Sequence, residues 1–233
     1  MSILGLIGGI APGSTVDYYQ RIIARYREQL GDDRYPGIVI NSIDLTTLLR
    51  LVEAGRLRDL TDYLVGELER LHAAGADFAL LASNTPHLVF DDLQPRSPLP
   101  LISIVEAACT AAARAGYTRV GLLGTRFTMG AGFYPAVFAR SGIEVMAPAA
   151  DEQEYVHHAY MTELVHGAFL PDTRAALLAL IARMRQRDGI QAVLLGGTEL
   201  PLILRGVLAA CPLVDTTAVH VDAAVSRLVM LAA

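Results

Sequence analysis

Residues 3–9 read Ile-Leu-Gly-Leu-Ile-Gly-Gly, and a short turn carries the chain from there into the amphipathic segment Ser14–Gln29. An apolar run, a glycine turn and a helix with a polar start are typical of the first strand and helix of an α/β protein. Apolar runs alternate with amphipathic stretches along the rest of the chain, for example at Phe78–Ala82, Val120–Leu123 and Ala192–Leu195. This alternation predicts an α/β fold in which parallel sheets are flanked by helices.

The chain repeats its own strand–turn pattern. Residues 5–9 (Gly-Leu-Ile-Gly-Gly) resemble 121–125 (Gly-Leu-Leu-Gly-Thr), and residues 80–85 (Leu-Leu-Ala-Ser-Asn-Thr) resemble 194–199 (Leu-Leu-Gly-Gly-Thr-Glu). The two matches have nearly the same offset, which favours an internal duplication over the chance likeness of strand–turn segments. We therefore predict two α/β lobes related by a pseudo-twofold axis, with an active-site cleft between them. The first lobe is predicted to comprise residues 1–103 and about 206–233, and the second residues 104–205.

All 19 basic residues are arginines, and the formal net charge is −5. Without lysine there can be no pyridoxal-phosphate Schiff base and no P-loop lysine, so chemistry on an amino acid would have to run without that cofactor. The scattered arginines form no basic stripe, which predicts that nucleic acid is not a partner. The apolar runs are shorter than about 18 residues and no secretory leader is visible, so we predict a cytoplasmic protein without a membrane span.

Ligands of open α/β sheets bind beyond the carboxyl ends of the strands, so the residues that follow the matched strands are candidates. The segment Gly8–Thr15 would bind a carboxylate or a phosphate through backbone N–H groups, or form an ordinary turn into a helix. Ser83 would be a nucleophile if a base lies within reach, and His87 is either that base or a structural histidine. Glu199 would act as a base or cap a helix, and Arg126 would pair with a carboxylate or face solvent. The histidines lack ligand spacing, so we predict no metal site.

Together these segments resemble the aspartate/glutamate racemase family of cofactor-independent amino-acid racemases. The opening segment 5–19 is similar to the family's N-terminal signature, and residues 83–87 (Ser-Asn-Thr-Pro-His) align with its Cys-Asn-Thr-x-His motif. Residues 124–128 match its middle motif, 196–202 (Gly-Gly-Thr-Glu-Leu-Pro-Leu) align with Gly-Cys-Thr-Glu-Leu-Pro-Leu, and 215–217 match its closing element. The resemblance implies two α/β lobes, no cofactor, a homodimer and a cleft for small amino acids or related carboxylates.

On this alignment the ligand contacts are predicted to come from hydroxyl, amide, arginine and histidine side chains in both lobes. The predicted contacts are Ser14, Thr15, Asn84, Thr85, Thr125, Arg126, Thr128, His166 and Thr198. Family members often have lysine at the position of His166, so the ligand of this chain is not necessarily aspartate or glutamate.

The resemblance also implies that two cysteines, one from each lobe, flank the α-carbon and exchange its proton on opposite faces. Ser83 and Gly197 stand at those two positions, and neither Cys109 nor Cys211 falls within either motif. A serine hydroxyl lacks the accessible titration of a thiol, and glycine offers no side chain. Because one positioned acid–base group contributes about 10²–10⁴-fold, we predict that ordinary Asp/Glu racemisation is absent or residual. Gly197 further predicts free volume for a larger ligand substituent.

Three functions remain open. The first is a repurposed enzyme, either an esterase or amidase with Ser83 as nucleophile and His87 or Glu199 as base, or a lyase or decarboxylase. The second is a ligand-binding pseudoenzyme that has kept the cleft and lost the chemistry. The third is a residual amino-acid racemase.

Overall fold

The computed structural model describes residues 2–232, which divide into two compact units. Unit 1 comprises the residues up to Ile104 and those from His220 onward, and unit 2 comprises Val105–Val219. The sequence instead predicts the return to the first lobe near residue 206.

Up to Ile104, the described part of unit 1 holds four short strands with one or two helices between successive strands. They are β1 (Ile3–Gly8), α1 (Pro12–Leu30), β2 (Gly37–Ser42), α2 (Leu45–Glu53), α3 (Leu57–Ala73), β3 (Phe78–Leu81), α4 (Phe90–Leu93) and β4 (Leu101–Ile102), with 3-10 turns at Thr85–Val89 and Gln94–Arg96. The helix boundaries follow local signals: the Asp44 side chain caps α2 by accepting from two backbone N–H groups, and Gly31 ends α1 in a left-handed conformation.

Unit 2 repeats this arrangement. Its elements are α5 (Ile104–Arg114), β5 (Arg119–Gly124), α6 (Arg126–Gly130), α7 (Phe133–Ala139), β6 (Glu144–Met146), α8 (Ala150–Thr162), a 3-10 turn at Leu164–His166, α9 (Pro171–Asp188), β7 (Ala192–Gly196), α10 (Leu200–Ile203) and β8 (Leu213–Asp215). The last helix, α11 (Thr216–Ala232), begins in unit 2 and continues into unit 1 at His220.

Each unit contains one four-stranded sheet, and the two sheets have the same topology. Their orders are β2-β1-β3-β4 and β6-β5-β7-β8, with every neighbouring pair parallel. The prediction of an α/β fold with two parallel sheets flanked by helices is therefore confirmed. The shared strand order is also what an internal duplication would produce.

Helices cover the sheets and bury apolar side chains against them. In unit 1 a core cluster joins strand residues such as Leu6 and Leu80 to Ile22 of α1 and Val225 of α11. In unit 2 residues of α8, α9 and α10 pack against β5 and β7. No helix within residues 2–232 is both long enough and apolar enough to cross a membrane.

A glycine fixes the turn that follows β1. Gly9 has a φ of +81°, and a Cβ atom there would lie 2.7 Å from the Ser42 Oγ and 2.8 Å from the backbone nitrogen of Ile43. We expect Gly9→Ala to lower the free energy of unfolding by about 1–3 kcal/mol, because both the backbone conformation and the packing resist the added methyl group. Urea denaturation would measure the change, with Gly66→Ala as the control because a Cβ at that position in α3 meets open space. Equal unfolding midpoints for the two variants would contradict the expectation.

Candidate functional site

The predicted site residues other than His166 lie in segments that leave a sheet at its carboxyl edge. In unit 1, β1 and β3 are parallel neighbours, so residues 8–15 and 83–87 leave the sheet at the same edge. We call these two segments the first loop cluster. In unit 2, β5 and β7 are neighbours in the same way, and residues 124–128 and 197–199 form the second loop cluster. In each unit the two segments therefore leave neighbouring strands at the same edge of the sheet.

The turn after β1 is held by its own hydrogen bonds. The Gly9 N–H donates to the Thr15 Oγ1 at 2.8 Å, and the buried Ser14 hydroxyl donates to the Ala11 carbonyl at 2.9 Å. Both hydroxyls thus shape the start of α1, as an ordinary turn into a helix would require. Their contact with a ligand stays a prediction.

Both ring nitrogens of His87 form hydrogen bonds with backbone groups. The Ile104 N–H donates to Nε2 at 3.2 Å, which places the ring proton on Nδ1, and Nδ1 lies 3.1 Å from the Ser83 carbonyl oxygen. Burial, reinforced by the nearby His220, lowers the pKa of His87 to about 3, so the imidazole is neutral at pH 7. Because its accepting nitrogen is already occupied, His87 is not poised to take a proton from the Ser83 hydroxyl, and the geometry favours its structural role.

Asn84 and Thr85 begin the 3-10 turn that follows Ser83, and all three residues are buried. The turn is closed by the His87 N–H, which donates to the Asn84 carbonyl at 2.9 Å. These positions follow the predicted strand end, and their ligand contacts remain predictions.

His220 is a second buried histidine of unit 1, one that no sequence motif singles out. The Tyr18 hydroxyl and His220 Nδ1 are 2.8 Å apart, and His220 Nε2 lies 2.9 Å from the Ile102 carbonyl oxygen. Since a carbonyl only accepts, Nε2 carries the ring proton and Nδ1 accepts from the tyrosine. Burial lowers the pKa of His220 to about 4, so this ring too is neutral at pH 7.

In the second loop cluster, the segment that follows β5 forms the N-terminal cap of α6. Thr125 caps α6, its Oγ1 accepting from the Thr128 N–H at 3.3 Å, and the two threonine hydroxyls are also 3.3 Å apart. Arg126 is exposed, with its guanidinium 5.3 Å from the centre of the Phe127 ring. His166 is exposed in the 3-10 turn after α8. Arg126 and His166 therefore both lie at positions open to solvent.

The space beside Gly197 is filled. A Cβ atom at position 197 would lie 2.7 Å from the phenol oxygen of Tyr160 and 2.9 Å from its Cζ. Tyr160 belongs to α8 and is buried in the core of unit 2. The prediction that Gly197 leaves free volume for a ligand is therefore wrong, because an aromatic ring from another element occupies that volume.

The same ring is bonded to Glu199. The Tyr160 hydroxyl donates to Glu199 Oε2, the Thr198 hydroxyl donates to the same oxygen at 3.0 Å, and the Glu199 N–H points to the phenol oxygen at 3.5 Å. All three residues are buried. Glu199 precedes α10 without capping it through its side chain, so its carboxylate belongs to this cluster. Burial and the adjacent carboxylate raise the pKa of the Tyr160 phenol well above its ordinary value.

The two cysteines lie in other parts of the fold. Cys109 is on α5 with its sulfur 3.5 Å from the Ser141 hydroxyl, and Cys211 precedes β8. Both are free thiols and buried, and burial raises the pKa of Cys211. Within the described residues, no cluster of three or more histidine, cysteine or acidic side chains could hold a metal ion.

Comparison with known proteins identifies this arrangement of strands and loops. The family profile described as Asp/Glu/Hydantoin racemase matches residues 7–224. The chain belongs to this family. The resemblance seen in the sequence motifs is thereby confirmed.

Individual relatives agree with the profile. The structure of an aspartate racemase homologue from Pyrococcus horikoshii OT3 is 34% identical, covers 100% of this chain and 99% of its own, and superposes with a TM-score of 0.81. The broad specificity amino-acid racemase RacX of Bacillus subtilis (strain 168) is 22% identical over 228 residues, which are 96% of this chain and 97% of RacX. The Picrophilus torridus aspartate racemase, at 19% identity and a TM-score of 0.75 over 100% of this chain and 94% of its own, shows the same fold.

Proposed function

We propose that this racemase-family protein binds a small amino acid or related carboxylate and catalyses a lyase or decarboxylase reaction that uses a single acid–base centre. Racemisation by two thiols lacks both of its acid–base groups, because Ser83 and Gly197 occupy the positions that align with the two cysteines of the family. The observation that carries the proposal is the buried Tyr160–Glu199 pair, which fills the place of the missing side chain at Gly197. One acid–base centre suffices for a reaction that handles a single face of the α-carbon.

Decarboxylation fits this requirement. The bond between the α-carbon and a carboxylate breaks, its electron pair stays on the α-carbon, and CO₂ leaves. The resulting carbanion then needs one proton from one side. Racemisation differs because it needs a base on one face and an acid on the other.

Hydrolysis by Ser83 receives less support from the geometry. A serine nucleophile needs a base that hydrogen-bonds to its hydroxyl. His87, the nearest histidine in sequence, directs both nitrogens to the backbone. Glu199 lies in unit 2, where its carboxylate accepts from the hydroxyls of Tyr160 and Thr198.

The experiment is an NMR assay in D₂O with substituted malonates, amino acids and hydroxy acids, together with a panel of esters and amides. We expect loss of CO₂ from a substituted malonate with one deuterium added at the α-carbon in a single configuration. We expect no interconversion of aspartate or glutamate enantiomers, and no ester cleavage.

Three outcomes would contradict the proposal, and each of them would support one of the other functions considered from the sequence. Ester or amide cleavage that Ser83→Ala abolishes would indicate a hydrolase. Saturable binding without turnover would indicate a pseudoenzyme, and interconversion of enantiomers would indicate a residual racemase.

A further inference from the structure

Tyr160 lies where the second loop cluster would otherwise present the side chain of residue 197. Its phenol oxygen is 2.7 Å from the position that a Cβ of residue 197 would take, so any group facing outward from Gly197 would have to compete with this ring. Gly197 directly follows β7, at the carboxyl end of an inner strand of a parallel sheet. Ligands of such sheets bind at these strand ends.

The phenol has a fixed orientation. Its ring packs among Leu123, Val156 and Leu200 in the core of unit 2, and its hydroxyl donates to Glu199 Oε2. The Thr198 hydroxyl donates to the same carboxylate oxygen and limits its rotation. Helix α8 and the segment between β7 and α10 thus hold a phenol and a carboxylate in direct contact, and this pre-organisation is what a proton-transfer group requires.

We propose that Tyr160 and Glu199 form a two-residue proton relay that takes the place of the second cysteine, with the phenol facing the ligand and the carboxylate behind it. This inference rests on the proposed single-centre reaction. In the donating direction, the phenol proton passes to the carbanion while a proton carried by Glu199 passes to the phenol oxygen. The products are a new C–H bond, a neutral phenol and a Glu199 carboxylate, and water later returns the proton to Glu199.

The relay explains why a phenol can work here although its own ionisation is suppressed. Burial and the neighbouring carboxylate raise the pKa of Tyr160, so a free phenolate beside Glu199 is unfavourable. In the relay no phenolate forms, because the phenol oxygen gains one proton as it loses the other. After the transfer the phenol is neutral and Glu199 is a carboxylate, and the hydrogen bond that Tyr160 donates to Glu199 in the structure corresponds to this product state.

The test compares wild type with Tyr160→Phe, Glu199→Gln and Glu199→Asp on methylmalonate or another substituted malonate that the D₂O assay shows to react. Since a positioned acid–base group contributes about 10²–10⁴-fold, we expect Tyr160→Phe and Glu199→Gln each to lower kcat at least ~100-fold with KM changed less than about threefold. Glu199→Asp should recover part of the rate. Tyr26→Phe, which removes a buried phenol oxygen from unit 1, is the control and should stay within about twofold of wild type.

Rates in mixtures of H₂O and D₂O give a readout that a structural role would not produce. Two protons moving in one step bend the plot of rate against deuterium fraction, whereas one moving proton gives a straight line. A curved plot for wild type supports the relay. A straight plot, or a Tyr160→Phe enzyme within threefold of wild type, overturns it and leaves the proposed function standing.

If wild type binds methylmalonate without turnover, the proposed reaction fails and the position of the phenol is tested directly. Protein labelled with ¹³C at the ζ carbon of tyrosine is titrated with methylmalonate, and Tyr160→Phe assigns the Tyr160 signal. A shift of that signal supports a phenol that faces the ligand. An unchanged signal at saturation, or no binding at all, overturns the relay.

Discussion

Ser83→Cys combined with Gly197→Cys is expected to yield a less stable protein without measurable racemase activity, and Tyr160→Leu is expected to be needed before activity appears. The cause is the ring beside Gly197, since any Cβ at that position meets the distal atoms of Tyr160. A leucine at position 160 keeps the first side-chain carbons in the core and removes the atoms that collide. The three changes together are expected to exchange the α-proton of aspartate at least ~100-fold faster than the two cysteine changes alone.

The steric part of this prediction can be measured without any activity. We expect Gly197→Ala to lower the free energy of unfolding by about 1–3 kcal/mol, because the tyrosine ring must shift within a packed core. Tyr160→Leu alone should also destabilise, since it leaves a cavity and removes a donor from the Glu199 carboxylate. In the double variant the two costs should fall short of their sum by about 0.5–3 kcal/mol, because the leucine frees the space that the alanine needs.

Urea denaturation of the wild type, the two single variants and the double variant gives this coupling. Gly130→Ala is the control within unit 2, because a Cβ at that position of α6 meets open space. Additive costs, or racemase activity in Ser83→Cys/Gly197→Cys with Tyr160 intact, would show that the ring is no obstacle.

The helix that carries Tyr160, α8, is one of the helices that the sequence does not predict. Apolar spacing predicts helices at Leu57–Ala74 and Arg174–Arg187, and the structure has α3 and α9 at those places. Spacing does not predict α8, because its buried face includes Glu152, His157 and Tyr160 beside few aliphatic residues. Strands β4 and β8, of two and three residues, are too short to show a pattern.

The sequence therefore predicts the loops that surround the site better than the side chains that fill it. Motif positions follow from the ends of buried strands, which are visible as apolar runs, and the structure places each pair of motifs at one sheet edge. The partner of Gly197 comes from a different element and a distant position in the chain, and only packing brings it there. The sequence offers one indirect signal, which is the glycine at position 197 in place of a larger residue. Because protein interiors are close-packed, the volume lost at a buried glycine is usually filled by a larger side chain from another element.

The two buried histidines of unit 1 lead to the second large effect, a loss of stability in mild acid. In the unfolded chain both imidazoles take up a proton near their ordinary pKa of 6.5, whereas burial lowers the folded-state pKa to about 3 for His87 and about 4 for His220. The unfolded state therefore binds more protons than the folded state below pH 6.5, and stability falls as the pH falls. The cost of each histidine approaches about 1.4 kcal/mol per pH unit below pH 6 and sums to about 1.6 kcal/mol between pH 6.5 and 5.

Urea denaturation followed by far-UV circular dichroism at several values between pH 7 and 5 would measure this slope. The range lies above the titration of carboxyl groups such as Asp44, whose pKa is lowered by the Thr47 hydroxyl. His87→Gln and His220→Gln keep an amide donor and acceptor and remove the titration, so each should reduce the slope by about half. His72→Gln changes an exposed histidine on α3 and is expected to leave the slope unchanged. A wild-type protein whose stability is flat from pH 7 to 5 would show that neither ring is held neutral by the fold.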